Sequence, residues 1–157
     1  MRAEPESSKV PGQRGSKTMD TLNRGCAQVY LIASRNYLVT CDICDAIQDF
    51  DPTAEISVQK GQETALPVLS RYRRIAVAFM ECGSEMIVRF RIDQAVRSRG
   101  GRLVLMGSTA ESELDRRSPR LQWPVLARPV STRMIMAHLL PRNQRPGNKT
   151  GVPGLII

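Results

Sequence analysis

Short apolar runs and amphipathic stretches alternate along the chain, and their order predicts its elements. Residues 29–33 (Val-Tyr-Leu-Ile-Ala) form a continuous apolar run, as expected of a strand covered on both faces. Asn36 is placed to cap the next segment, in which Val39, Ile43, Ala46, Ile47 and Phe50 fall on one helical stripe. Asp51-Pro52 ends that helix. Residues 54–58 read as a second strand with Ile56 and Val58 inward, and Gly61 turns the chain into a short helix over 64–72, with Pro67 tolerated in its first turn. The most hydrophobic stretch, 75–80, is the predicted central strand. Residues 85–99 read as one helix facing inward with Val88, Ile92, Ala95 and Val96, and Gly100-Gly101 stops it. A fourth strand covers 103–106. Ser108 and Glu111 match a capping box opening a very polar helix over 110–117. A fifth strand covers 125–127, and Ser131 caps a last helix facing inward with Ile135, Met136, Leu139 and Leu140.

Five strands alternating with five helices imply parallel pairing through right-handed crossovers. The expected fold class is therefore α/β, a doubly wound five-stranded parallel sheet with helices on both faces. In such sheets the functional crevice lies beyond the carboxyl ends of the strands, where the strand order switches. The expected rim residues are Ala33, Ser34, Phe79, Gly107 and Arg128.

The chain has 157 residues, enough for one core without staples. Residues 1–26 and 141–157 are rich in Pro, Gly and polar residues and lack periodicity, so both are expected to be flexible tails around a domain at 27–140. No apolar run approaches the roughly 18 residues that span a bilayer, and the first residues lack the apolar core of a secretory signal, which points to the cytoplasm. The net charge of +8 is unevenly placed. Residues 27–70 carry two basic and six acidic side chains, whereas 71–140 carry thirteen and six. That asymmetry favours complementary docking or an acidic partner, against the plainer reading of solvated faces.

Cys41 and Cys44 form a C-x-x-C, but inside a predicted helix and without a second ligand pair. Buried structural thiols are expected, with no metal and no cofactor. The one histidine, His138, sits on the last helix, expected to face solvent, and no paired carboxylates or Gly-rich phosphate loop accompany it, so no catalytic residues are assigned.

The layout of 27–140 resembles the CheY-like receiver domain of two-component response regulators. The resemblance rests on the spacing of the strand ends and on Val125-Leu126-Ala127-Arg128-Pro129-Val130, which is similar to the family's Lys-Pro after the last strand. Gly61-Gln62-Glu63-Thr64-Ala65-Leu66 is similar to its turn into the second helix. The resemblance implies a flavodoxin-like fold, an acidic pair that holds Mg²⁺, an aspartate that accepts phosphate, a hydroxyl and a lysine. Those positions fall here on Ala33 and Ser34, on Phe79 (or Ala78, one residue earlier), on Gly107 with Ser108 beside it, and on Arg128. Such residues supply neither the metal's charge nor a nucleophile. The implied protein is a degenerate receiver, a pseudo-receiver that signals by docking, with a residual phospho-switch through nearby Glu81 as an alternative.

Arg128 offers a planar fork for carboxylate or phosphate. With Arg89 and Arg91 it is a candidate anion-binding set, for a nucleotide, a second messenger or a nucleic acid. The plainer reading of Arg128 is a salt bridge to Glu81 or Asp51. Against nucleic acid, no aromatic platform is interleaved and no helix-turn-helix follows, so only the basic tails would bind it. The resemblance implies a protein partner: a histidine kinase, an output protein, or a second copy in a homodimer. The surface it implies includes Leu114, Arg116, Arg117 and Arg133, with Glu111, Glu113 and Asp115 as acidic neighbours. The first helix offers another face, with Tyr37, Asp42, Asp45 and Asp49.

Overall fold

The structure, a computed structural model, describes residues 27–141. Five parallel strands form one sheet in the order β2-β1-β3-β4-β5. They are β1 (Val29–Ala33), β2 (Glu55–Gln59), β3 (Val77–Glu81), β4 (Arg102–Met106) and β5 (Val125–Leu126). The helices between and after them are α1 (Tyr37–Phe50), α2 (Gln62–Leu69), α3 (Ser84–Arg89), α4 (Ile92–Arg97), α5 (Ser108–Asp115) and α6 (Thr132–Leu139). This is the doubly wound α/β fold that the alternation predicts. Among the described residues no helix is long and apolar enough to cross a membrane.

Strand side chains alternate between the two faces, and each face is covered. Tyr30, Ile32, Val77 and Phe79 pack under α1 and α6, whose contributions include Ile43, Ile47, Ile135 and Leu139. Leu31, Ala78, Met80 and Leu105 pack under the remaining helices, with Leu69, Ile87, Ile92 and Val96. Continuous apolar strands are the direct result of burial on both faces.

Both expected caps form. The Asn36 side chain accepts from the Val39 N–H (3.3 Å), and the Ser131 hydroxyl oxygen from the Met134 N–H (3.3 Å). At the far end of α6, Arg102 donates through Nη1 to the Leu140 carbonyl (2.7 Å) and through Nη2 to the Leu139 carbonyl (3.1 Å). A cation there meets carbonyls that have no partner inside the helix.

Several boundaries differ from the sequence expectation. The helix expected over 85–99 is two helices, broken at Phe90-Arg91, and Arg91 takes a left-handed conformation (φ 52°). Ile87 and Ile92 are five residues apart, about 140° around a continuous helix, so one unbroken helix cannot point both at the sheet. The break resets the phase and both are fully buried, while Val88, expected inward, is 67% exposed. Pro67 lies inside α2 because that helix starts at Gln62. Val58, on the edge strand, is 48% exposed. Gly107, not Ser108, precedes α5, so the Ser108–Glu111 capping box does not form.

Candidate functional site

Beyond the carboxyl ends of the strands, Ser34 follows β1, Glu81 ends β3, Gly107 follows β4 and Arg128 follows β5. Together they line a cavity of about 90 Å³. A second cavity of about 360 Å³ opens on the other side of Glu81, lined by Arg35, Lys60, Gln62 and Glu63.

Glu81 is the centre of this rim. Its Oε2 accepts a short hydrogen bond from the Ser34 hydroxyl and another from the Arg35 N–H at 3.0 Å. Ser34 Oγ in turn accepts from the Asn36 N–H (3.0 Å), so the turn entering α1 orients the hydroxyl that holds the carboxylate. Gly107 sits at φ 93°, ψ 172°, a region open essentially to glycine. A Cβ there would stand 2.7 Å from Glu81 Cγ, so the glycine leaves room for the glutamate stem.

Arg128 is committed to Glu111. Its Nε and backbone N–H donate to Oε1 (2.9 and 3.0 Å), and Nη2 donates to Oε2 (2.9 Å). The Arg128–Pro129 peptide is cis. The expected partners Glu81 and Asp51 are replaced because the side chain of Glu111, freed from capping α5, reaches across to β5. The guanidinium holds the Glu111 carboxyl below the usual glutamate range, and Glu111 raises the Arg128 pKa. With its folded pKa below its unfolded one, Glu111 contributes stability that is present at neutral pH and lost as pH falls through the folded value. Denaturant melts across roughly pH 3 to 7 should show a shallow acid-side loss that Arg128→Ala removes, small because the pair is open to solvent.

Two expected rim residues, Ala33 and Phe79, are not at the rim, nor is Ala78, the alternative to Phe79. Ala33, Ala78 and Phe79 are fully buried in the sheet. Phe79 pairs with Ile32 and Val104 inside the strand ladder and packs among the residues under α1 and α6. The strand runs on to Glu81, so the residue that reaches the rim at the end of β3 is Glu81, two residues beyond Phe79. The anion set is also dispersed. Arg89 lines a different cavity from Arg128 and stacks over Phe90 (5.7 Å), and Arg91 forms the α3–α4 junction.

Leu114, Arg116, Arg117 and Arg133 are exposed, as expected. Glu113 is not: it is buried, and its Oε1 accepts from the Ser84 N–H (3.0 Å) at the start of α3. Gly83 permits this approach, since a Cβ there would lie 2.6 Å from that oxygen. Nothing local in a polar helix marks one glutamate as the inward one, so sequence reasoning missed it. Cys41 and Cys44 are half-buried on α1, and His138 is half-buried. Burial pushes the Cys82 thiol up to about 12, with repulsion from Glu113 and Glu81 adding to it.

The receiver resemblance implies Mg²⁺, and the rim residues do not fit it. Glu81 is the single carboxylate of the 90 Å³ cavity and already accepts two hydrogen bonds on one oxygen, while Ser34 beside it offers only an uncharged hydroxyl and Arg128 adds a cation. Among the described residues no group of three His, Cys, Asp or Glu side chains is placed to hold a metal ion. No family model matches the chain, and neither a curated protein nor a solved structure matches it significantly.

Proposed function

We propose that this chain is a receiver-like signalling module of the cytoplasm that acts by docking to protein partners, without aspartyl phosphorylation. The observation that carries the reading is the internal pairing of the rim. Glu81 ends the third strand, where a receiver would carry its acceptor, but is held by Ser34 and the Arg35 N–H, and Arg128, just after the last strand, is forked onto Glu111. Phosphoryl transfer needs a nucleophile, a metal and a cation for the transferred oxygens. Here the metal's carboxylates are missing and the cation is already neutralised. A rim closed on itself favours one fixed shape, and a fixed shape serves recognition by a histidine kinase, an output protein or a second copy.

Incubation with acetyl phosphate and Mg²⁺ followed by intact-mass measurement tests this. The mass should stay unchanged. A phosphoryl adduct that disappears in Glu81→Gln would overturn the reading and establish the residual switch through Glu81.

A further inference from the structure

The charge asymmetry of the sequence becomes two complementary surfaces on opposite sides of the sheet. On α1, Leu38, Asp42, Asp45 and Asp49 are exposed and follow the i, i+4, i+7, i+11 spacing of one helical line, with Tyr37 beside its start. Tyr37 is 77% and Leu38 72% exposed, so the line has an apolar head and an acidic body. No basic residue occupies the last turn of α1, and none of the three aspartates forms an ion pair among the described residues. Carboxylates towards a helix C-terminus oppose its macrodipole, so helix stability does not account for them.

Across the sheet, α3 and the segment before β5 enclose a groove of about 480 Å³ with Val88 and Trp123 as its apolar walls. Arg89 and Arg120 flank it against the single carboxylate of Glu85, so its lining is net positive, and neither arginine has a carboxylate within ion-pair distance among the described residues. Apolar walls between two cations match an apolar head followed by carboxylates, the helix-in-groove mode of recognition. Because α1 and α3 lie on opposite faces of the sheet, the two surfaces of one chain cannot meet.

We infer that the α1 face of one copy docks into the Val88–Trp123 groove of a second copy. This rests on the reading of the chain as a docking module and names its partner. Tyr37 and Leu38 enter against Val88 and Trp123, and the aspartates pair with Arg89 and Arg120. The contact is heterologous, so it propagates as a ring or an open row and does not stop at a two-fold dimer.

Sedimentation of the full chain against concentration and salt tests it. At about 0.05 M salt, association should rise with concentration, and about 0.5 M salt should weaken it by roughly tenfold or more. Asp42→Arg/Asp45→Arg and Arg89→Glu/Arg120→Glu should each be folded by circular dichroism and monomeric. Their equimolar mixture should associate again and extend, because the acidic α1 face of one variant meets the intact groove of the other and the two charge-reversed surfaces are complementary in turn. A monomeric wild type at low salt, association that persists in either variant alone, or a mixture that stays monomeric would each overturn the contact. Any of those results leaves the acetyl phosphate outcome untouched, so the two readings fail separately.

Discussion

Phe79→Ala should unfold the protein far more readily than any substitution at the rim. The phenyl ring is fully buried between Ile32 and Val104 in the middle of the sheet. Removing it takes away its burial and leaves a cavity that the flanking strands cannot close, a loss of about 3–5 kcal/mol. Urea melts should show that loss as a lower midpoint with little change in slope, and the thermal midpoint should fall by roughly 10 °C or more. A phenylalanine at the solvent end of the strand would lose much less. The measurement therefore also decides the register that places Glu81, not Phe79, beside Ser34.

Gly107→Ala should produce the second large effect, and it should act on the site. The backbone at φ 93° is unfavourable for any side chain, a cost of about 1–3 kcal/mol. The new methyl would also stand 2.7 Å from Glu81 Cγ and push the carboxylate out of its bond with Ser34. Repeating the substitution in a Glu81→Ala background separates the two parts. The backbone cost should remain and the steric part should vanish, read as a coupling energy in a double-mutant cycle. Full additivity would show that Glu81 does not rest on Gly107.

The architecture was legible because it depends on period and order. Each apolar run of strand length became a strand, and Asn36 and Ser131 cap helices where their spacing said they would. The end of the third strand was not legible for a physical reason. A strand buried on both faces shows no alternation, so its last residue cannot be read from hydrophobicity; only the appearance of Glu81 after Met80 marks the edge. The partners of Arg128 and Glu113 were hidden differently. Both pairs join residues far apart in sequence, 17 positions for Arg128–Glu111 and 29 for Ser84–Glu113, and a polar helix offers no local sign of which glutamate turns inward. The break at Arg91 was concealed by arginine itself, which favours a continuous helix, whereas the packing of Ile87 and Ile92 demanded the interruption.

The fork from Arg102 to the last carbonyls of α6 fixes where the described chain ends relative to where it starts. Arg102 opens β4, so α6 ends beside the amino ends of the strands, the same pole at which residue 28 leads into β1. The described chain therefore begins and ends at one pole. The opposite pole, with Glu81 and Ser34, faces away from both ends, and tension applied at Pro141 would be felt first by the Arg102 anchor and the start of β4.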